Sequence, residues 1–172
     1  LLESDPEAPL NETQQDGIQR ILGAGWLLRE LIDDVLDLSR IETGRLELKP
    51  QEVNVVGLIR ECLEHVAPQA GARGLELVDL SAECGRQTLH VDAKRFRQVL
   101  LNLLTNAVKY NRPGGRVTVT CHRLEQGMLR IAVSDTGIGI PQAKRNELFQ
   151  YFSRLGAEHT SVPGIGVGLA LC

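Results

Sequence analysis

The sequence contains no apolar run approaching the roughly 20 residues that a membrane-spanning helix requires. Its first residues also lack the basic segment followed by an apolar one that is typical of a secretory signal. We therefore expect a cytoplasmic setting and no direct membrane contact in this segment. This expectation concerns the given residues alone and leaves open a membrane anchor elsewhere in a longer protein that contains them.

Paired cysteines and an excess of positive charge are also absent. The four cysteines are scattered without a Cys-x-x-Cys pair, so neither a zinc site nor a disulfide framework is predicted. Lysine and arginine number 19 against 22 aspartates and glutamates, which gives a net charge of −3. This balance argues against a protein that mainly coats nucleic acid, because such proteins concentrate basic side chains.

The 172 residues, of which 42% are hydrophobic, suffice for one ordinary domain. The charge is nevertheless divided unevenly along the chain. Residues 1–44 contain ten acidic and three basic side chains, whereas residues 45–172 contain twelve acidic and sixteen basic ones. This division favours two modules of opposite charge, and solvated faces of unequal sign are the other interpretation.

The acidic segment predicts one long helix that begins after Asn11. Gln14 stands three residues beyond Asn11, as in a capping box. Apolar residues then recur at helical spacing in two adjacent rows: Ile18, Ile21, Leu28, Ile32 and Val35, flanked by Leu22, Leu31, Leu36 and Leu38. The resulting stripe is wider than a two-stranded seam needs, so we expect this helix to belong to a bundle. Because the sequence contains no second helix of this kind, its partner must be another subunit or a segment outside this chain.

The remaining residues alternate between helix and strand patterns. We predict a short strand around Leu46 and Leu48, a helix from Val55, and strands at residues 75–78 and 89–91. A helix follows from Asp92 to about Tyr110, then a hairpin of residues 117–121 and 129–133. Further helices are expected from Pro141 and Val167. This order predicts an α+β fold in which helices cover one face of a sheet.

The helix ending near Tyr110 places four polar side chains on one face. They are Asn102, Asn106, Lys109 and Tyr110. A solvated helix face is one interpretation, but asparagine inside a helix costs about 0.5 kcal/mol relative to alanine, so two of them one turn apart indicate a use. Amide oxygens are suitable Mg²⁺ ligands, an ammonium group neutralises phosphate, and an aromatic ring packs on a base.

Two glycine-containing segments follow this helix. The first, Asp135-Thr136-Gly137-Ile138-Gly139, comes directly after a predicted strand and permits close approach of a ligand to the backbone. The second contains three alternating glycines: Gly164, Gly166 and Gly168. Glycine amides at the start of a helix favour phosphate. Neither segment is specific alone, and the second is not a dinucleotide fingerprint, because no strand precedes it at the required distance.

Four motifs in this order resemble those of two-component sensor histidine kinases. Residues 102–110 are similar to the N box of that family, 135–141 to the first glycine box, 148–154 to the F box and 164–169 to the second glycine box. Residues 31–42 resemble the second helix of the dimerisation and phosphotransfer domain. The resemblance implies that residues 1–44 belong to a helical bundle and that residues 45–172 form a two-layer α/β sandwich of the Bergerat type, which binds ATP.

The resemblance also implies ATP and Mg²⁺ as cofactors and gives several residues a role at the phosphates. Asn102 and Asn106 would hold Mg²⁺, Lys109 would contact phosphate, and Arg154 would reach toward the terminal phosphate. The second glycine box would line the phosphates with Gly164, Gly166 and Gly168. In the hydrolysing relatives a glutamate that activates water stands at the position of Asn102. An amide has no such basicity, so the resemblance implies a kinase rather than a hydrolase.

A further set of residues is implied at the adenine. Tyr110 would pack beside the ring, and Asp135 would accept a hydrogen bond from the adenine amine. Gly137 and Gly139 would let the backbone pass under the ring. The F-box rings of Phe149 and Phe152 are expected to serve packing rather than chemistry.

The phosphoacceptor histidine of that family is missing from this sequence. None of the four histidines (His65, His90, His122 and His159) is followed by the acidic residue and proline of an H box, so we expect surface or strand roles for them. We expect the acceptor on a helix before Leu1, and the last helix to continue beyond Cys172. The implied function is phosphotransfer from Mg-ATP to that histidine, within a homodimer, for relay to the receiver domain of a response regulator. A degenerate kinase that acts as an ATP-binding switch and a gyrase-like ATPase are the alternatives.

Overall fold

The computed structural model describes residues 10–85, 87–150 and 167–172. The chain divides into two compact units, Leu1–Leu46 and Glu47–Cys172. Among the described residues, the first unit contains one helix, α1 (Glu12–Glu42). The predicted capping box is confirmed: the Asn11 side chain accepts from the Gln14 amide at 2.9 Å, and the Gln14 side chain accepts from the Asn11 amide at 3.0 Å.

The apolar stripe of α1 is largely exposed. Ile21 is 72% exposed, Leu28 58% and Ile32 51%. Exposed apolar side chains at this helical spacing form a face that no other described residue of the first unit buries. Among the described helices, none is both long enough and apolar enough to cross a bilayer.

The second unit has an α+β fold, as the sequence predicts. Its α-helices within the described ranges are α2 (Val55–Ala72) and α3 (Ala93–Lys109). Its strands are β1 (Gln51–Asn54), β2 (Glu76–Leu80), β3 (Thr88–Val91), β4 (Arg116–Arg123) and β5 (Leu129–Asp135). Strands β1 and β3 form an antiparallel pair, while β2, β4 and β5 form a three-stranded sheet with β4 in the centre. In this sheet β2 runs parallel to β4, and β4 and β5 form the predicted hairpin.

The core lies between the two helices and one face of the sheet. On β4, the alternate residues Val117, Val119 and Cys121 are fully buried, whereas Thr118 between them is only half-buried. These side chains pack in one cluster with apolar residues of α2 and α3, including Leu104. The buried residues of β4, which are spaced two apart, and those of α3, which follow the helical period, thus pack in the same core. This packing positions the polar face of α3.

Three predicted elements differ from the structure. Residues 45–50 form no strand, and the strand begins at Gln51, where Val53 pairs with Leu89 of β3. The helices predicted from Pro141 and Val167 are 3₁₀ turns, Gln142–Glu147 and Gly168–Leu171. Both are short, as 3₁₀ segments usually are.

The expectation that the cysteines form no disulfide is wrong for one pair. Cys84 and Cys121 are joined by a disulfide bond, with their Cα atoms 5.4 Å apart. Cys84 ends the 3₁₀ turn that follows β2, and Cys121 lies in the adjacent strand β4. Because 37 residues separate them, only the sheet topology brings them together. Cys62 and Cys172 are free.

The Asp92 carboxylate caps the start of α3. Asp92 accepts hydrogen bonds from the backbone amides of Lys49, at 2.9 Å, and Arg95, at 3.1 Å. These bonds hold the pKa of Asp92 below its ordinary value of 3.8. A carboxyl whose pKa is lower in the folded state stabilises the fold above its unfolded pKa, and this contribution is lost as the pH falls through the folded pKa.

We therefore expect Asp92→Asn to lower the free energy of unfolding at neutral pH but to matter less in acid. Asparagine remains a good helix cap, so the variant loses the charge and not the cap itself. Urea unfolding of both proteins across a pH series measures the effect. The gap between wild type and variant should narrow below about pH 4, and a gap that stays constant with pH would contradict the role of the charge.

Candidate functional site

Helix α3 presents the predicted polar face. Asn102, Asn106, Lys109 and Tyr110 are all half-buried, while Leu104 on the core side is fully buried. The Asp92 cap begins the helix, and Tyr110 is its C-cap residue, whose amide donates to the Asn106 carbonyl at 2.9 Å. The sequence thus folds locally into an amphipathic helix whose accessible face carries two amides, an ammonium group and a phenol.

The first glycine segment docks against the end of this helix. The Ile138 amide donates to the Tyr110 carbonyl oxygen at 3.2 Å. A Cβ atom on Gly137 would lie 2.3 Å from the same oxygen, so glycine is required there by close approach. Gly139 has a φ of +67°, which favours glycine for conformational reasons. The loop after β5 therefore lies directly on α3.

Asp135 stands at the end of β5, at the start of that loop. Its Oδ1 atom accepts a hydrogen bond from the Gly137 amide at 2.8 Å, which orients the carboxylate on its own turn. The side chain is exposed. It can therefore accept a further hydrogen bond from a ligand that lies beside α3.

Part of the second glycine segment also contacts α3. The Asn102 Nδ2 atom donates to the Gly168 carbonyl oxygen at 3.0 Å, across 66 positions of sequence. A Cβ atom on Gly168 would lie 3.4 Å from the Asn102 side chain, which is a tight contact. Two segments far apart in sequence thus meet the same helix. The predicted site residues Arg154, Gly164 and Gly166, and the F-box residue Phe152, lie outside the described residues.

The side-chain amide oxygens of Asn102 and Asn106 suit a hard cation that a bound ligand also coordinates. Within the described part of the chain, no hydrogen bond engages the side-chain oxygen of Asn102 or of Asn106. No group of three or more histidine, cysteine, aspartate or glutamate side chains that could hold a metal occurs in that part either. Mg²⁺ is commonly bound by one or two protein oxygens together with phosphate oxygens. The two amides fit that mode of binding.

Some side chains differ from their predicted surroundings or were not predicted at all. Phe149 is 69% exposed, so no described residue provides the packing that was expected for it. Asn111 and Gly115 were missed, although both are buried where α3, β4 and the Asp135 loop meet. The sequence signal that could have indicated Asn111 is its place directly after the end of a helix and five residues before a strand. His65, His90 and His122 are exposed, and the last two lie in strands as predicted.

Comparison with known proteins gives a family match for the second half of the chain. Residues 91–172 match the family described as histidine kinase-, DNA gyrase B-, and HSP90-like ATPases. The circadian input-output histidine kinase CikA of Synechococcus elongatus is 39% identical over 165 residues, which are 95% of this chain and 22% of CikA. The sensor protein GacS of Pseudomonas syringae pv. syringae is also 39% identical, over 96% of this chain and 18% of GacS.

A solved structure resembles the chain over almost its whole length. It is full-length ShkA in complex with AMPPNP, with a TM-score of 0.78 and 31% identity. The match covers 99% of this chain and 34% of ShkA. The chain thus spans about a fifth of the length of the two curated relatives and a third of that structure.

Proposed function

Because residues 91–172 belong to the histidine kinase-, DNA gyrase B-, and HSP90-like ATPase family, we propose that this chain binds Mg-ATP on α3 and supplies its γ-phosphate to a histidine. One observation carries the proposal: the Asp135 loop and Gly168 of the second glycine segment both contact the helix that bears the two asparagines. The Asp135 loop meets the end of α3 through Tyr110, and Gly168 meets its middle through Asn102. The base and the triphosphate lie at opposite ends of a nucleotide, so each end needs its own contact with the protein.

In this proposal each polar residue of α3 has its own role at the nucleotide. Asn102 and Asn106 would hold Mg²⁺ through their amide oxygens, and Lys109 would face the phosphates. Bound Mg²⁺ neutralises charge on the phosphates during transfer. Tyr110 would pack beside the base and Asp135 would accept from its amine. We extend the phosphate contacts to Arg154, Gly164 and Gly166 from the motif alone.

The Asn106 amide offers a direct test. We expect Asn106→Leu, which keeps the side-chain size and removes the oxygen, to weaken binding of a fluorescent ATP analogue by at least about tenfold in Mg²⁺. In EDTA the variant and wild type should bind the analogue equally weakly, because the lost oxygen acts through the metal. Equilibrium fluorescence titration measures both conditions.

A matched control is Asn146→Leu, which removes an exposed amide from the 3₁₀ turn Gln142–Glu147. It should leave analogue affinity unchanged. If wild type fails to bind the analogue in Mg²⁺, or if Asn106→Leu binds as well as wild type, the proposal fails.

Transfer to a histidine is distinguished from hydrolysis by the fate of bound ATP. Asn102 provides no base that could activate water, so ATP should persist in the absence of an acceptor. Steady phosphate release by the purified chain would instead favour a gyrase-like ATPase. ATP binding without any phosphohistidine in the parent protein would favour the alternative of an ATP-dependent switch.

We also propose two protein partners. The exposed apolar stripe of α1, which includes Ile21, Leu28 and Ile32, would form a homodimeric bundle with a second copy. The receiver domain of a response regulator would accept the phosphate from the histidine. Light scattering on the parent protein tests the first partner, and a monomer at micromolar concentration would contradict it.

A further inference from the structure

Asn111 is a buried amide at the junction of three segments, and it is 5% exposed. Its Nδ2 atom donates to the carbonyl oxygens of Ala107, at 3.0 Å, and Arg116, at 3.1 Å. Its Oδ1 atom accepts from the Arg112 amide at 3.0 Å and from the Thr136 hydroxyl at 3.2 Å. Both donors and both acceptor positions of the amide are thus used.

The same junction contains a second link through Thr136. The Thr136 hydroxyl accepts from the Arg116 amide at 2.9 Å, and the Thr136 amide donates to the Arg116 carbonyl at 3.1 Å. Gly115 closes the junction, since a Cβ atom there would lie 2.2 Å from Asn111 Oδ1 and 2.7 Å from Thr136 Oγ1. The end of α3, the start of β4 and the loop after β5 are therefore fixed to one another by hydrogen bonds, and position 115 has no room for a side chain.

Thr136 directly follows Asp135, which pairs with Val117 of β4, so the junction and the strand pairing together place the Asp135 backbone relative to α3. We propose that Asn111, acting through Thr136, is a positioning residue that keeps the base-binding carboxylate in register with the phosphate-binding face of α3. The inference rests on the proposed function, because it assumes that Asp135 accepts from the adenine amine. It adds a determinant of base selectivity that does not itself touch the nucleotide.

Few other side chains fit this position. Aspartate has no donor for the two carbonyl groups and would bury a charge, and serine is too short to span them. A purely structural role for Asn111 makes a different prediction from a positioning role. Loss of structure weakens all nucleotides alike, whereas displacement of Asp135 weakens only the nucleotide whose amine it binds.

The experiment compares the affinities of the chain for ATP and for inosine triphosphate, which has an oxygen in place of the adenine amine. Wild type should prefer ATP by about tenfold or more, since the carboxylate faces an acceptor in the inosine nucleotide. Asn111→Ala and Thr136→Val should reduce this preference at least about fivefold by weakening ATP binding, with little change for inosine triphosphate. Thr136→Ser keeps the hydroxyl and should keep the preference.

Thr120→Val is the matched control, because it makes the same change at a half-buried residue of β4 outside the junction. It should behave as wild type. If Asn111→Ala does not fold, Thr136→Val decides the question, because it leaves the bonds of Asn111 to α3 and β4 in place.

Variants that keep the wild-type preference, or that lose affinity equally for both nucleotides, overturn the inference alone. A wild-type chain that does not distinguish the two nucleotides overturns the role of Asp135 and, with it, this inference.

Discussion

Replacing Gly137 by alanine is expected to weaken binding of Mg-ATP by about 10- to 100-fold. The added Cβ atom would lie 2.3 Å from the Tyr110 carbonyl oxygen and 2.7 Å from Asp135 Oδ1. The Tyr110 oxygen belongs to the backbone at the end of α3 and cannot rotate away. The loop must therefore move, and it takes Asp135 with it.

The same displacement breaks a hydrogen bond that can be followed without any nucleotide. The Ile138 amide donates to the Tyr110 carbonyl at 3.2 Å, and this bond cannot survive a shift of the loop. We expect hydrogen exchange of the Ile138 amide to be faster in Gly137→Ala than in wild type. If exchange at Ile138 is unchanged in the variant, the loop has not moved and the structural premise is wrong. If exchange is faster but Mg-ATP binding is unchanged, the loop has moved without affecting the nucleotide.

Gly71→Ala is a suitable control for this prediction. Gly71 lies in the last turn of α2, and a Cβ atom there would meet nothing within 4 Å. Alanine is favoured over glycine in a helix by up to about 1 kcal/mol, so the control should bind nucleotide normally and unfold no more easily. If Gly137→Ala binds nucleotide like this control, the contact between the loop and α3 does not matter for binding.

The sequence predicts the elements of the second unit that carry strong local signals. Asp92 marks the start of α3, and an apolar period of 3.6 residues continues from it. Val117, Val119 and Cys121 alternate with polar residues and predict β4. The alternation of Leu46 and Leu48 was misleading because it covers only two apolar positions. Leu48 is 59% exposed, and the pairing with β3 begins only at Gln51.

The sequence predicts which polar residues share a face of α3, but not how other segments contact that face. Asn102 and Asn106 follow from one helix face, which is a local property. The bond from Asn102 to Gly168 and the junction at Asn111 join segments that are distant in sequence. No periodicity records such contacts, because they depend on how strands and helices pack. The hydrogen bonds of Asn111 are therefore visible only in three dimensions.

The Cys84–Cys121 bond is a second feature that sequence spacing does not predict, and its effect on stability is expected to be large. A cross-link between residues 37 apart lowers the entropy of the unfolded chain. Cys84 is 7% exposed and Cys121 is fully buried, so the bond is shielded in the folded chain. It ties the turn after β2 to the central strand of the sheet that ends at the Asp135 loop.

Reduction of this bond should lower the free energy of unfolding by about 3–4 kcal/mol, and Cys121→Ala should lower it at least as much. Denaturant unfolding with and without a thiol reductant measures the effect. Cys62→Ala is the control: Cys62 is a buried free thiol of the same unit, so this variant should lose packing but keep its sensitivity to reductant. Without reductant, the denatured wild-type chain should expose only the thiols of Cys62 and Cys172, because the disulfide holds the other two cysteines. Four reactive thiols under those conditions, or a free energy of unfolding that the reductant does not change, would mean that the bond does not form in the protein.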